Sequence, residues 1–469
     1  MKPLIDAPPV KAVTPDMPLL ALVAGVWWLL GIVDSALPQL QMALFGGTVP
    51  IRGALLDMLF LGLLGLLALR RGSLPPAPRA LGAATAAFGA YLFVELLFLH
   101  ARRDTAILGL VTDYYRYYFF LLLLPFAYYA QSVIDARQLL RALLFAFVPL
   151  AWLGLAQHFG GDPLLPTSSA DGRFQVFAWA FQGEVRAFSL FNSGWSFGHY
   201  AVLAATCAAF LAAEPQARAH TRWLCQVLIV VALVCVYASH TRTVFLVAVA
   251  AAAATLLLVR ARRRGTLDAA SISMPLAFAA VGYFVAHGAQ GIVQWLGLGD
   301  ARLFATGSIE ARWDAWAEYG ARWLQGSWAE LWFGLGIGQH DSGMLYSEST
   351  VLIDNMLIAI GAQLGLVGVV LWLVMMWQIW RMVLRRAQEQ DSALHWGIAA
   401  MWAAWPLSLT FSASSLYYGL LAVGTVLTRA ASRADSVVYN DAELAQAVHH
   451  GVGDQAVTGH AWVRVVRQK

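Results

Sequence analysis

Long apolar runs, interrupted by short clusters of arginine, glycine and proline, set the pattern of this chain. The runs continue over about 17 to 25 residues instead of alternating, which selects helices able to cross a hydrocarbon layer of roughly 30 Å. In lipid, only helices and closed barrels satisfy their own backbone groups, and unbroken runs choose the helix. Spans are expected at 17–37, 54–69, 80–100, 111–130, 139–159, 196–213, 223–239, 243–260, 271–297, 364–383, 393–412 and 414–429. The predicted fold class is all-α: a polytopic integral membrane protein of about twelve transmembrane helices. Two polar stretches, 160–195 and 298–363, exceed ordinary connections and mark themselves as functional loops, the second lying before the tenth span. Residues 1–430 then form a transmembrane helical domain with its loops, and 431–469 a polar cytoplasmic tail.

Composition sharpens this picture. Of 469 residues, 59% are hydrophobic and only 12% charged, about half the charged share of a soluble domain. The N-terminal MKPLIDAPPVKAVTPD is polar and contains proline, unlike a cleavable signal peptide, so the run from Met17 is expected to stay as an anchor. Cys207, Cys225 and Cys235 fall in or beside spans without a C-x-x-C pair and are expected to be packing residues. His449, His450 and His460 in the tail are scattered and are assigned no function.

Lysine occurs only at positions 2, 11 and 469; every other basic side chain is arginine. Codon bias and ordinary loop charge explain such usage, but a guanidinium fork also grips phosphate through two parallel hydrogen bonds. With a cytoplasmic N-terminus, alternate loops carry Arg70, Arg71 and Arg79, then Arg137 and Arg141, Arg218 and Arg222, Arg260, Arg262, Arg263 and Arg264, Arg381, Arg385 and Arg386, and Arg429 and Arg433. That is a positive-inside pattern, and it places both termini in the cytoplasm. It leaves Arg52, Arg102, Arg103, Arg116, Arg173, Arg186, Arg242, Arg302, Arg312 and Arg322 on or near the outer side. Arg116 and Arg242 border apolar spans, where a charge snorkels to the headgroups or faces a wet, paired site. Several arginines on one face suggest a site for a lipid phosphate or diphosphate. Arg186 precedes a Gly/Ser/Asn-rich bend that opens a span, and a helix start adds free N–H groups and a positive dipole end to its charge.

The stretch from Ser308 to Gly368 concentrates Arg, Asp, Glu, His, Trp and Gly. Its EARWDAWAEYGARW portion reads as an amphipathic helix with Trp316, Tyr319 and Trp323 on one face and Glu318 spaced to pair with Arg322. Those aromatics suit an interface anchor or a sugar-stacking face equally well. Gly334, Gly336 and Gly338 are expected to let the backbone turn back toward the membrane, and Gly365 with Gly368 to permit close helix packing. Glu95, inside an apolar span, is a functional candidate or a partner for a neighbouring helix. Asp341 and Glu348 are too isolated to argue for a metal.

In order along the chain, RAFSLFNSGWSFGHYAVL, SHTRTVFLVAVAA, ARWDAW, GLGIG and DNMLIAIGAQLGLVG resemble the bacterial O-antigen polymerase and O-antigen ligase family, the Wzy-type membrane glycosyltransferases. The resemblance covers roughly residues 180–370. It implies a GT-C-like architecture and a polysaccharide-assembling enzyme of the bacterial inner membrane, active at the periplasmic face. The implied donor is an undecaprenyl-diphosphate-linked glycan, with no metal and no other cofactor. The implied partners are that glycan, membrane lipids, and a chain-length regulator and flippase of the same pathway, with no nucleic acid. Family ligases carry a histidine where this chain has Asp354, ahead of Asn355, which favours the polymerase branch over the ligase branch.

Breaking a sugar–diphosphate bond puts negative charge on the diphosphate, which arginines can stabilise in place of a metal ion. The acceptor hydroxyl must lose a proton to a positioned side chain. Arg186, Arg242, Arg312 and Arg116 are therefore the expected diphosphate-binding residues. Asp354 leads as catalytic base, with His340 and Glu348 as alternatives; a helix cap or a salt bridge would equally explain Asp354. A lipid-linked oligosaccharide flippase or other transporter is the reading from another class. The distinctive residues fall in outer loops rather than around a midplane site, which favours the enzyme.

Overall fold

The computed structural model describes residues 18–32, 59, 61–62, 64–66, 77–103, 118, 121–130, 133–168, 180–181, 183–191, 193–295, 316–318, 320–334, 336, 355–410 and 416–430. The chain divides into Met1–Arg429 and Ala430–Lys469, and every element below belongs to the first unit. The described elements are helical apart from two short strand pairs. The helices are α1 (Pro18–Ile32), α2 (Arg79–Arg103), α3 (Ala136–Gly160), α4 (Gly194–Ala212), α5 (Ala219–Ala238), α6 (Arg242–Arg264), α7 (Ala269–Trp295), α8 (Trp328–Phe333), α9 (Met356–Gln390), α10 (Ala393–Ala403), α11 (Trp405–Thr410) and α12 (Leu416–Leu427). Parallel β1 (Ile134–Asp135) and β4 (Thr428–Arg429) pair, as do antiparallel β2 (Ala180–Phe181) and β3 (Glu184–Val185).

Among the described residues, 6 helices are long and apolar enough to cross a membrane: Arg79–Leu97 within α2, then α3, α4, α5, α6 and α9. The protein is thus an all-α, membrane-embedded chain. The expected span 54–69 lies largely outside the described residues, and of the expected span 111–130 residues 118 and 121–130 are described. The expected span 393–412 is two helices, α10 and α11, separated at Ala404. Pro406 has no N–H for the Trp402 carbonyl, and that missing bond favours the break.

Helix α4 sits at the centre and packs against α3, α5, α6 and α10. Small residues let these neighbours close in: a Cβ on Gly198 would meet Val244 of α6 at 2.5 Å, and one on Gly397 of α10 would meet the Cys207 sulfur at 2.5 Å. Phe145, Trp152 and Phe159 of α3, with Trp223 and Val230 of α5, remain exposed as an apolar outer face suited to lipid.

Two ends of the bundle differ in chemistry. At one end Arg262, in the last turn of α6, donates to Asp391 Oδ1 (2.7 Å) and to the Asp391 carbonyl (3.1 Å), and lies 3.8 Å from Glu214 in the α4–α5 turn. Trp396 also donates to Asp391 Oδ1 (3.0 Å). Partial burial pushes the Glu214 carboxyl above its ordinary range, and the Arg262 charge pulls the other way. Arg218, Arg222, Arg260, Arg263 and Arg264 adjoin these same turns. The ends of α3 and α5 and the starts of α4 and α6 meet at the other end, around Arg186 and Arg242.

Candidate functional site

The opposite end is organised by a hairpin. Gly183, with φ 83°, turns β2 into β3, and the chain continues through Arg186 to Ser193, which caps α4. The Ala187 N–H donates to the carbonyl of Ala238, the last residue of α5 (2.8 Å). That bond brings the backbone at Arg186 beside the short turn Ser239–His240–Thr241, after which Arg242 opens α6. A Cβ at Gly194 would lie 2.7 Å from the Ser239 carbonyl, so this glycine lets the α5–α6 turn close on the start of α4. The Thr241 hydroxyl donates back to Ser239 and does not cap α6, so the first N–H groups of α6 receive no side-chain cap. Arg242 thus stands at the positive end of a 23-residue helix, next to the segment that carries Arg186.

The segment that follows the hairpin is held by a buried amide. Gln157 of α3 is fully buried and donates to the carbonyls of Pro163 and Ser189 (both 2.9 Å), while its Oε1 accepts from the N–H groups of Phe188 (3.3 Å) and Ser189 (2.6 Å). Its hydrogen-bonding capacity is therefore fully used. Next to it, His158 Nδ1 lies 2.8 Å from the Val185 carbonyl. A carbonyl only accepts, so Nδ1 carries the proton. The His158 and His240 rings are 4.9 Å apart, Tyr237 lies 5.7 Å from His240, and His240 Nε2 is 3.6 Å from Glu184 Oε2. Among the described residues, four without a glycine's freedom have left-handed φ, and Leu164 (57°), Ser189 (54°) and His240 (46°) all occur in this region. Backbone held in such conformations is concentrated where function requires it.

Of the residues expected from sequence, the fold brings Arg186 and Arg242 into one neighbourhood. Asp354, His340, Glu348, Arg312 and Arg116 lie outside the described residues. Next to Asp354, Asn355 caps α9, its Oδ1 accepting from the N–H groups of Leu357 (3.0 Å) and Ile358 (3.2 Å). The pair expected in the 308–368 stretch is present: Arg322 donates to Glu318 at 2.6 Å.

Sequence reasoning passed over Gln157, His158, Glu184 and His240. Glu184 and His240 sit two residues before Arg186 and Arg242 respectively, a symmetry visible in EVR and HTR, but their meeting depends on the α5–α6 turn. Gln157 and His158 end an apolar run just before GGDP, where polar side chains ordinarily signal only a helix end. Among the described residues, no group of three or more His, Cys, Asp or Glu side chains is arranged to hold a metal ion.

A second feature lies along α9. Gly365 (φ 65°, ψ −170°) breaks the helix, freeing the carbonyls of Gln363 and Leu364. Gly336 N–H donates to Gln363 (3.0 Å) and the Tyr91 hydroxyl of α2 donates to Leu364 (2.7 Å). Gly334 (φ 81°) and Gly336 (φ 106°) take left-handed φ, Gly338 lies outside the described residues, and Gly334 is pressed against the Gln363 backbone. Gly365 differs from expectation. It does more than permit close packing: it is the break itself, with the Trp332 backbone in the space a side chain would need. At Gly368 the nearest neighbour is Leu364 of the same helix, not another helix. Glu95, one turn beyond Tyr91 and buried, hydrogen-bonds Tyr91 beside this break.

No protein-family model matches the chain, and no characterised protein matches it.

Proposed function

We propose that this chain is a membrane glycosyltransferase that joins undecaprenyl-diphosphate-linked oligosaccharide repeats into a surface polysaccharide, at the periplasmic face of the bacterial inner membrane and without a metal ion. The reading is supported by one observation: the Ala187–Ala238 bond lays the segment that carries Arg186 beside the turn that leads into Arg242 at the uncapped start of α6, at the end of the bundle away from the Arg262 cluster. Two guanidinium groups and a helix N-terminus form a receptor for a diphosphate, and the charge that develops on that diphosphate during transfer is what they stabilise best. The ordered resemblance of residues 180–370 to O-antigen polymerases and ligases supports the same reading, with Arg312, Arg116 and Asp354 as further candidates.

Purified protein in detergent, supplied with lipid-diphosphate-linked repeats, is expected to produce longer glycans in the presence of EDTA. Arg186→Ala and Arg242→Ala are each expected to lower the rate by about 10² to 10³-fold. Transfer that stops in EDTA and returns with magnesium would overturn the metal-free scheme. Preferential transfer to added lipid A-core would move the assignment from polymerase to O-antigen ligase.

The broken helix α9 favours one other reading, a lipid-linked oligosaccharide flippase, since interrupted helices serve transporters. The same preparation then lengthens nothing, while vesicles containing it move the lipid-linked glycan between leaflets.

A further inference from the structure

We propose that Glu184 is the general base of the transfer, removing the acceptor hydroxyl's proton, and that His240 is the residue that positions it. The proposal rests on the glycosyl-transfer reading above and adds to it a catalytic residue outside the 308–368 stretch.

The placement follows from the hairpin. Successive side chains on an extended segment alternate, so Glu184 and Arg186 emerge on the same side while Val185 turns inward and is buried. A base on that side stands next to the arginine that would face the leaving diphosphate. The two members of the pair differ in access: the Glu184 side chain is 40% exposed and His240 only 7%. A sugar hydroxyl arriving from outside meets the carboxylate, and the imidazole backs it from within the fold at 3.6 Å. An exposed base held by a buried orienting group is the arrangement that proton abstraction requires.

The surroundings hold the pair in place. His158 anchors the hairpin through Val185 and packs its ring against His240. Tyr237 of α5 flanks both imidazoles, 6.4 Å from His158 and 5.7 Å from His240. His240 itself sits in a left-handed turn conformation (φ 46°) that directs its ring between the hairpin and α6. A simple ion pair between a hairpin and a helix end needs none of this support.

The reaction balances without a co-reactant. The acceptor O–H bond breaks as its proton passes to Glu184. The acceptor oxygen forms a bond to the anomeric carbon of the donor sugar. The bond from that carbon to the diphosphate oxygen breaks, and the lipid diphosphate leaves with the electron pair, facing Arg186 and Arg242. Proton transfer from Glu184 to the departing diphosphate or to water restores the carboxylate. His240 contributes by holding the carboxylate toward the hydroxyl and is a positioning residue.

The test uses the full-length protein in detergent, with two separate readouts: glycan transfer from lipid-diphosphate-linked repeats, and binding of a fluorescent polyprenyl diphosphate. Glu184→Gln is expected to lower kcat by roughly 10² to 10⁴-fold, with polyprenyl-diphosphate affinity unchanged. Glu184→Asp restores part of the rate. His240→Asn fits the left-handed backbone but stops short of the carboxylate, and is expected to reduce kcat about tenfold with KM held.

If Glu184→Gln does not fold, His240→Asn and Glu184→Asp decide the matter: wild-type kcat in both overturns the pair. Wild-type kcat in a folded Glu184→Gln overturns it outright while leaving glycosyl transfer standing. A wild-type protein that binds polyprenyl diphosphate yet transfers nothing overturns the transfer reading, and the pair with it.

Discussion

At the scale of single residues, Gln157 shows how a polar group can be buried in an apolar bundle and stabilise it. Its amide reaches four backbone groups in two loop segments, and all four depend on it where no water replaces it. Leucine has nearly the same volume but leaves those groups unmatched, and each buried unsatisfied group costs about 1–3 kcal/mol. Gln157→Leu is therefore expected to destabilise the protein by roughly 3 kcal/mol or more, read as a lowered unfolding midpoint in detergent. Because the same bonds hold the segment after Arg186, any protein that still folds should also lose polyprenyl-diphosphate binding. A variant with wild-type stability and binding would show that the segment is held by other contacts. Nothing in the sequence around Gln157 announces this role, since two of its partners, Phe188 and Ser189, lie on the far side of a long connection. The Glu318–Arg322 pair was legible for the opposite reason: helical spacing alone sets it.

At the scale of elements, the break in α9 is a contact between two backbones. Gly365 leaves the helical region, the loop carrying Gly334 and Gly336 lies against the gap, and the two carbonyls freed by the break are taken by Gly336 and Tyr91. Irregular backbone at membrane depth persists only when protein supplies its hydrogen bonds, and here it does. Gly365→Ala adds a Cβ where the Trp332 backbone sits and forces a left-handed φ on a residue with a side chain. Strain and overpacking together predict a loss of roughly 2–5 kcal/mol. Gly320→Ala, with nothing within 4 Å of its added Cβ, is the control and should leave the unfolding midpoint unchanged. Equal midpoints for the two variants would mean that α9 tolerates a straightened path. The apolar runs reported the helices themselves well, because length and hydropathy are local properties. Gly365, by contrast, looks like any small residue of a membrane helix, and only the distant Trp332–Gly336 segment makes it a break.

At the scale of the whole molecule, the chain separates its arginines by position. Arg262 ties the α4–α5 turn to the end of α9 through Glu214 and Asp391, amid the run Arg260 to Arg264, while Arg186 and Arg242 stand at the other end of the same helices. The sequence pattern foretold that division, since arginines in alternate loops must share a side if every intervening run crosses the membrane. It did not foretell that Glu184, His158 and His240 would join the smaller group, because three separate connections have to converge for them to meet. The positive-inside rule makes orientation a prediction from charge: the end richer in arginine is expected on the cytoplasmic side. Exposed positions at each end make this measurable. Ser168→Cys lies beyond α3 on the Arg186 side, and Gln216→Cys lies in the α4–α5 turn beside Glu214. The native Cys207, Cys225 and Cys235 are all buried and give a low background. A membrane-impermeant maleimide added to spheroplasts is expected to label Ser168→Cys at once and Gln216→Cys only after the membrane is opened. The reverse result would put Arg186, Arg242 and the Glu184–His240 pair in the cytoplasm. Polymerisation at the periplasmic face would then be impossible for this site, whatever its affinity for a lipid diphosphate.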